Sequence, residues 1–261
     1  MTSIPDAYFV ADGGRFIATE HTRGPWSDRH QHGGPPSALL VRAIERVLAG
    51  SGTALARITI ELLSPVPIAT LEVAASATRA GRKVQRLDAT LTSDGRLIAR
   101  ATALAIRTTA LELPAPAGSL DVPAPADSDP FVFPFFRSGI GYALAVEARL
   151  ARGVWGKGPA TLWIRTRVPL VAGELPSPLQ RVMIAADSGN GIAVVLDAAR
   201  WTFVNADLTV ALHRPPDGEW IGLDAGTTVE PSGVGLTVTR LLDTRGTIGI
   251  AHQSLVVDPR V

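Results

Sequence analysis

Runs of apolar and β-branched residues in the first half of the chain are separated by short turns rich in Gly, Pro and Asp. Such runs are typical of β-strands, and the Asp94-Gly95 turn is typical of a tight hairpin. The pattern therefore predicts an antiparallel meander of four strands: Arg57–Leu63, Leu71–Arg79, Lys83–Thr92 and Leu97–Arg107.

A long helix is predicted before this meander. The run Ala38–Leu48 is apolar except for Arg42, Glu45 and Arg46, which cluster on one helical face and leave a wide face to be buried. Gly33-Gly34-Pro35-Pro36 stands shortly before it, and tandem prolines forbid a preceding helix but suit the first turn of a following one. The same four residues are also compatible with a plain loop that only starts the helix.

The second half repeats this order with different polar residues. A helix is predicted at Leu179–Ala186, and the segment Asp187–Gly191 predicts an interruption near its middle or end. The strands predicted around it are Tyr142–Val154, Ala160–Arg167, Phe203–Leu212, Trp220–Val229, Gly233–Leu242 and Thr247–Val257. One helix followed by an antiparallel sheet, twice, predicts an α+β architecture in which each sheet curls around its own helix.

The spacing of the repeat is nearly constant. Arg57–Leu62 is echoed 150 residues later by Asp207–Leu212, and Gly95 is matched by Gly246 at an offset of 151. Two copies of one fold can pair edge to edge and imitate a symmetric dimer. We therefore expect domains at 1–110 and 137–261, joined by a Pro-rich linker at 111–136.

The two copies differ at matched polar positions. Asp207 stands where the first copy has Arg57, and Gln253 stands where it has Thr102. The fold does not require these differences. They predict one active site per chain, built mainly on the second copy, to which the first copy contributes a helix end.

The predicted linker ends in a group of aromatic residues. Its prolines favour an extended, semi-rigid segment. Four phenylalanines close it: Phe131, Phe133, Phe135 and Phe136. We expect these side chains either to dock the linker on the rest of the protein or to line an apolar substrate channel.

Composition and charge exclude several classes of function. The formal net charge is +1 and no Lys/Arg run marks a nucleic-acid surface. No stretch of about 18 apolar residues predicts a membrane span, and the N-terminus lacks a secretory pattern, so we expect a cytoplasmic protein. The absence of cysteine excludes disulfides, thiolate metal sites and a cysteine nucleophile. His30 and His32 lack a nearby acidic residue to complete a metal site, so neither metal nor cofactor is predicted.

Four motifs, in this order and spacing, resemble the double-hotdog acyl-CoA thioesterases of the acyl-CoA thioesterase II type. Together they span nearly the whole chain. They are the Gly33-Gly34 pair at the helix start; Asp207-Leu208-Thr209-Val210 after the segment Trp201–Asn205; Trp220, Thr227-Thr228 and Gly235; and the last strand from Gly246 through Gln253.

This resemblance implies a double hotdog, with two antiparallel sheets each wrapped around a long central helix, and hydrolysis of an acyl-CoA substrate. It implies that Asp207, Thr228 and Gln253 hold the attacking water, with Thr227 replacing Thr228 if the register slips by one. It also implies a homo-oligomer, a dimer or tetramer of double hotdogs. His32 departs from the usual apolar residue before the Gly pair, which leaves the acyl substrate open.

These residue types suit thioester hydrolysis. A carboxylate such as Asp207 is a competent base for water, and the neutral Thr228 and Gln253 can orient that water. The oxyanion needs N–H groups, which a helix N-terminus presents. Either Gly33-Gly34 or the segment Asp187–Gly191 can supply them, so His32, Gly33 and Gly34 are expected to bind substrate.

Blander interpretations stay open at this point. Asp207 can be a strand cap or a surface charge, and Gln253 can face a sheet edge instead of a pocket. His252 lies on the opposite strand face from Gln253, so the two cannot share a pocket. Two other functions also remain open: a hydratase or dehydratase of acyl thioesters that uses His32, and a non-catalytic acyl-thioester-binding protein.

Overall fold

The computed structural model describes residues 6–114, 121–136 and 141–260, so part of the predicted linker, 115–120, lies outside the described residues. The first half contains the predicted helix and all four predicted strands. Its helix begins at Gly34 rather than Ala38, because proline is well tolerated in a first helical turn. The elements are β1 (Phe9–Asp12), β2 (Arg15–Ala18), α1 (Gly34–Leu48), β3 (Thr53–Leu62), β4 (Thr70–Ala80), β5 (Val84–Ser93) and β6 (Arg96–Arg107).

The second half follows the same order with two additions. A short strand lies within the predicted linker, and the predicted strand from Tyr142 begins as one helical turn. The elements are β7 (Asp129–Phe131), α2 (Tyr142–Ala145), β8 (Val146–Arg152), β9 (Ala160–Thr166), α3 (Pro178–Ala186), α4 (Gly189–Ile192), β10 (Trp201–Asn205), β11 (Asp207–Leu212), β12 (Ile221–Val229), β13 (Val234–Asp243) and β14 (Gly246–Pro259).

The strands form one continuous antiparallel sheet in the order β1-β2-β4-β5-β6-β3-β11-β14-β13-β12-β9-β8-β7, with β10 also paired to β14. The order on one side of the β3–β11 pair is repeated in reverse on the other side. Each half wraps around its own helix, α1 or α3. The prediction of an α+β double hotdog is confirmed, and its two sheets join edge to edge.

A pseudo-two-fold axis passes between Thr59 and Thr209. These residues lie opposite each other in the β3–β11 ladder, and their hydroxyl groups are hydrogen-bonded at 3.0 Å. Their separation of 150 residues is therefore the offset between the two copies at the axis.

The same offset of 150 holds in the hairpins, which corrects one of the sequence alignments. Arg96 occupies the position of Gly246 at the start of the last strand of each half. The counterpart of Gln253 is therefore Ala103, not Thr102. The offset of 151 used in the sequence comparison is one residue too long, so it paired Gln253 with a residue on the opposite face of the strand. Gln253 and Ala103 both point into the interior.

The predicted strand Phe203–Leu212 is broken by a β-bulge at Ala206. Asn205 lies opposite Leu255, whereas Thr209 lies opposite His252, so β10–β11 contains one residue more than the facing part of β14. A bulge reverses which side chains face the interior beyond it.

The two helices pack against each other in opposite directions. The N-terminus of α1 meets the C-terminal end of α3, where a Cβ atom on Gly34 would overlap the main-chain oxygen of Ile184. Glycine is required here by this close approach rather than by its backbone angles. Among the described residues, no helix is long and apolar enough to cross a membrane.

Candidate active site

A cavity of about 400 Å³ opens at the junction of the two halves. It lies at the N-terminus of α1, beside the end of β3 and the junction between α3 and α4. Most of its wall is apolar. Its polar lining includes His32, Gly33, Asp187, Asn190 and Asn205, which come from both halves of the chain.

Asp187 lies at the break between α3 and α4. The sequence Ser188-Gly189-Asn190-Gly191 that follows it is rich in poor helix formers, which explains why the helix is interrupted here. The side chain of Asp187 is 5 % exposed. Its Oδ1 accepts a hydrogen bond from Asn205 Nδ2 at 3.0 Å, and its Oδ2 lies 3.2 Å from His32 Nδ1. A buried carboxylate is thus held in one orientation at the cavity wall.

Gln253 is hydrogen-bonded to the main chain on both sides of this break. Its Nε2 donates to the main-chain oxygen of Asp187 at 3.1 Å, and its Oε1 accepts from the N–H of Asn190 at 3.1 Å. The residue is 1 % exposed and does not line the cavity. Both bonds of this buried amide fix the backbone turn that carries Asp187.

His32 is buried and stacks on Tyr142, with ring centroids 3.8 Å apart. Burial lowers the pKa of His32 below its ordinary value, and the nearby carboxylate of Asp187 opposes that shift only in part. The lowered pKa favours the neutral imidazole. Its Nδ1 is 3.1 Å from the N–H of Gly34 and 3.2 Å from Asp187 Oδ2. One tautomer accepts from Gly34, and the other donates to Asp187.

The N-terminus of α1 offers few donors to the cavity. Pro35 and Pro36 have no N–H, so only Gly33 and Gly34 can donate from the start of this helix. The N–H of Gly34 faces His32. Within the described ranges, no hydrogen bond uses the N–H of Gly33, and Gly33 lines the cavity.

Three of the four linker phenylalanines line the cavity: Phe133, Phe135 and Phe136. Trp26 joins them, and its ring stacks on Phe135 with centroids 6.0 Å apart. The phenylalanines thus pack onto both halves of the protein and also form part of the cavity wall, so the two expected roles are combined.

The structure does not bring Asp207 and Thr228 to this site. Because of the bulge at Ala206, Asp207 points to the outer face, where its Oδ1 accepts from the N–H of Ser254 at 2.6 Å. Thr228 is exposed on β12. Thr227 faces inward, but its hydroxyl is hydrogen-bonded to Thr237 at 2.8 Å and it does not line the cavity. The predicted grouping of Asp207, Thr228 and Gln253 around one water is therefore not found.

Sequence reasoning missed Asp187 and Asn205 as side chains of the site. The helix break at Asp187–Gly191 is visible in the sequence, and it had suggested only backbone donors. Asn205 enters the cavity only because of the bulge at the next residue, for which the sequence carries no clear signal.

The pseudo-equivalent position in the other half is closed. The cavity there has a volume of only about 10 Å³. Leu55 and Ala103 occupy the positions of Asn205 and Gln253. The carboxylate of Glu45 lies at the start of α3, where it accepts from Ser177 Oγ at 2.7 Å and from Gln180 Nε2 at 2.8 Å. The first half therefore lacks counterparts of Asn205 and Gln253, the two amides that hold Asp187 and its turn in the second half.

No group of three or more His, Asp or Glu side chains in the described part of the chain is arranged to hold a metal ion. The polar groups of the cavity are instead one carboxylate, amides, hydroxyls and imidazoles. These groups suit proton transfer and the orientation of water.

The comparisons with known structures agree with this fold. A hot dog fold protein of unknown function from Alicyclobacillus acidocaldarius superposes with a TM-score of 0.76 at 18% identity, with 98% of each chain covered. An acyl-CoA thioesterase II from Mycobacterium marinum gives a TM-score of 0.66 at 15% identity, with 96% of this chain and 94% of that chain covered. A TesB protein from Mycobacterium avium subspecies paratuberculosis gives a TM-score of 0.66 at 17% identity, with 96% of each chain covered. No curated protein sequence matches the chain.

Two family models match the sequence in the order of its two halves. The model of the acyl-CoA thioesterase N-terminal domain matches residues 22–106, and that of the C-terminal domain matches residues 116–257. The second match alone covers more than half of the chain. The chain therefore belongs to the acyl-CoA thioesterase family.

Proposed function

We propose that this protein hydrolyses an acyl-CoA, or a related acyl thioester, to a free acid and a thiol in the cavity beside Asp187. Family membership supports thioester hydrolysis in general. The observation that carries the specific proposal is the buried Asp187 carboxylate, which lines the cavity and is held by Asn205 and His32.

In this proposal a water molecule lies between Asp187 and the carbonyl carbon of the thioester. Asp187 accepts a proton from the water while the water oxygen forms a bond to that carbon. The carbonyl oxygen becomes an oxyanion, which the N–H of Gly33 stabilises at the positive end of the α1 dipole. When the intermediate collapses, the carbon–sulfur bond breaks and the proton passes from Asp187 to the departing sulfur.

The remaining polar residues position this carboxylate. Asn205 donates to one oxygen of Asp187 and also to the main-chain oxygen of Asp207 at 3.1 Å, so its amide is fixed by two acceptors. Gln253 is a positioning residue, because it touches the backbone of the turn and not the cavity. Orientation of this kind supplies a large part of the barrier reduction in many enzymes.

The experiment that tests the proposal measures free thiol released from a panel of acyl-CoAs of graded chain length. Release that disappears in Asp187→Asn supports it. If folded protein binds the thioesters but releases no thiol from any of them, the proposal is wrong and the protein is a non-catalytic acyl-thioester-binding protein.

The His32–Asp187 pair favours a second candidate, an acyl-thioester hydratase or dehydratase. With Nδ1 donating to Asp187, the other ring nitrogen of His32 is free to act as a base. This reaction adds water to an enoyl thioester and leaves the carbon–sulfur bond intact. Loss of enoyl absorbance without thiol release would therefore favour it over hydrolysis.

We also propose that the protein is a homo-oligomer that uses the outer face of β13 and β14. Val238 and Ile250 are each 50 % exposed on this face, whereas their pseudo-equivalents in the first half are Asp88 and Arg100. Charged side chains suit solvent, whereas apolar side chains exposed at the same two positions suit contact with a second copy of the chain. Val238→Asp should then lower the mass measured in solution, and a monomeric wild-type protein would contradict the proposal.

A further inference from the structure

The chemistry and size of the cavity wall point to a class of acyl group. We infer that the acyl group is compact, uncharged and aromatic, such as an aryl or arylacetyl group, and not a long linear chain. This inference rests on the proposed function, since it names the substrate of the same site.

One wall of the cavity is built of aromatic rings that are fixed in place. Phe135 stacks on two tryptophan rings: Trp26, with ring centroids 6.0 Å apart at 23°, and Trp155, with ring centroids 5.8 Å apart at 19°. Trp155 is anchored by a hydrogen bond from its Nε1 to the main-chain oxygen of Gly191 at 3.0 Å. Trp26 also makes an edge-to-face contact with Phe203, with ring centroids 5.1 Å apart. The wall therefore holds its ring atoms in a defined orientation, and a pair of aromatic rings gains more than area burial alone provides.

The aromatic wall lies close to the proposed reaction centre. Phe136 is 6.3 Å from the ring of His32, measured between centroids. Phe135 packs on Gly191, where a Cβ atom would lie 3.1 Å from the edge of the ring. Gly191 is four positions along the chain from Asp187. A ring attached directly to the carbonyl carbon, or through one methylene, is therefore within reach of this wall.

The size of the cavity limits the acyl group. Ligand pockets usually have volumes of about 300–1,000 Å³, so a cavity of about 400 Å³ lies at the small end of that range. An arylacetyl thioester head, with roughly ten non-hydrogen atoms, suits a pocket of this size. A long linear acyl chain is a poorer match to it.

The charge of the lining disfavours acyl groups that carry a free carboxylate in addition to the thioester. No Lys or Arg lines the cavity, and Asp187 is its one acidic residue among the described residues. A second carboxylate placed here would be desolvated and would face Asp187 without a cation. Dicarboxylic acyl thioesters are therefore expected to be poor substrates.

The test compares two acyl-CoAs with the same number of acyl carbons, phenylacetyl-CoA and octanoyl-CoA, by kcat/KM for thiol release. We expect the wild-type protein to favour phenylacetyl-CoA by about 10-fold, and Phe135→Leu to reduce that ratio by about 3- to 10-fold. Phe131→Leu is the matched control, because Phe131 belongs to the same segment but does not line the cavity. Equal or higher kcat/KM for octanoyl-CoA in the wild-type protein would overturn the inference.

A binding measurement separates this inference from the proposed function. The Kd of both thioesters is measured by calorimetry on Asp187→Asn, which does not depend on turnover. If phenylacetyl-CoA binds more tightly but the wild-type protein releases no thiol, the substrate class stands and hydrolysis is wrong. If thiol is released but octanoyl-CoA binds as tightly as phenylacetyl-CoA, hydrolysis stands and the aromatic class is wrong. Failure of both thioesters to bind would overturn both.

Discussion

The side-chain amide of Gln253 donates to the main-chain oxygen of Asp187, and the same amide accepts from the N–H of Asn190. Both distances are 3.1 Å. One buried side chain on the last strand thus spans the break between α3 and α4. The carboxylate of Asp187 projects from that break into the cavity, so its position depends on a residue that does not reach the cavity itself.

Gln253→Ala should therefore lower activity through the geometry of the turn. The substitution leaves a main-chain oxygen and an N–H buried without partners, at a cost of about 1–3 kcal/mol for each in the free energy of unfolding. We expect kcat for thiol release to fall more than KM changes, because the carboxylate moves while the apolar wall stays. Urea unfolding and steady-state kinetics check this.

Ser254→Ala is the control for Gln253→Ala, since Ser254 is the next residue on β14 and its side chain lies on the exposed face. It should leave both kcat and the free energy of unfolding close to the wild-type values. Wild-type kcat in Gln253→Ala would show that the turn holds Asp187 without this amide.

Asp187→Asn should lower kcat/KM by about 10²- to 10⁴-fold, the range typical of a general base, because an amide cannot accept the proton of water. The change keeps size and shape, so circular dichroism should match the wild-type protein. Asp207→Asn is the comparison, because its carboxylate is on the outer face of the sheet, bound to the N–H of Ser254. A large loss in Asp207→Asn with normal rates in Asp187→Asn would restore the assignment made from the sequence alone.

The fold was largely predictable because regular patterns of apolar and polar residues indicate its helices and strands. The apolar and β-branched runs of the strands, the Asp94-Gly95 turn and the apolar face of α1 are local signals. The repeat at an offset of 150 residues indicated that two copies of one fold pair with each other. The features of the candidate site that the sequence indicated are likewise local: the Gly33-Gly34 pair at a helix start, and the polar Gln253 in an apolar strand. The role predicted for Gln253, holding a water, differs from its contacts with the turn at Asp187.

The rest of the site depends on a single inserted residue. In an unbroken strand, Asn205 and Asp207 share one face, and the sequence gives no reason to place a bulge at Ala206. The bulge directs Asn205 to the cavity and Asp207 away from it. Asp187 was overlooked as a base for a different reason: a helix break with two glycines first suggests backbone donors, and only the packing of α3 against α1 shows where the carboxylate points.

Gly34→Ala should destabilise the protein strongly. A Cβ atom at this position overlaps the main-chain oxygen of Ile184, and neither helix backbone can give way without opening the contact between α1 and α3. Overpacking of this kind costs about 1–3 kcal/mol, which thermal unfolding detects as a lower Tm. Gly226→Ala is the matched control, because no heavy atom lies within 4 Å of a Cβ atom there. Equal Tm values for the two variants would mean that the helices separate easily at Gly34.

The stability of the protein should fall as the solution is acidified below the ordinary pKa of histidine, 6.5, in part because of His32. Burial lowers the pKa of His32 in the folded protein, so between the folded and unfolded pKa values the unfolded chain binds more protons. The contribution of His32 to the free energy of unfolding therefore rises with pH through this window, is largest above 6.5, and is lost as the pH falls towards the folded pKa.

Urea unfolding of the wild-type protein and of His32→Gln over a pH series measures this contribution. The stability difference between wild type and variant should shrink on the acidic side, and His252→Gln, on the outer face of β14, controls for the removal of a histidine from the chain. A difference that stays constant, or grows, as the pH falls below 6.5 would mean that the folded protein accepts the charged imidazole beside Asp187, and would contradict the neutral state inferred for His32.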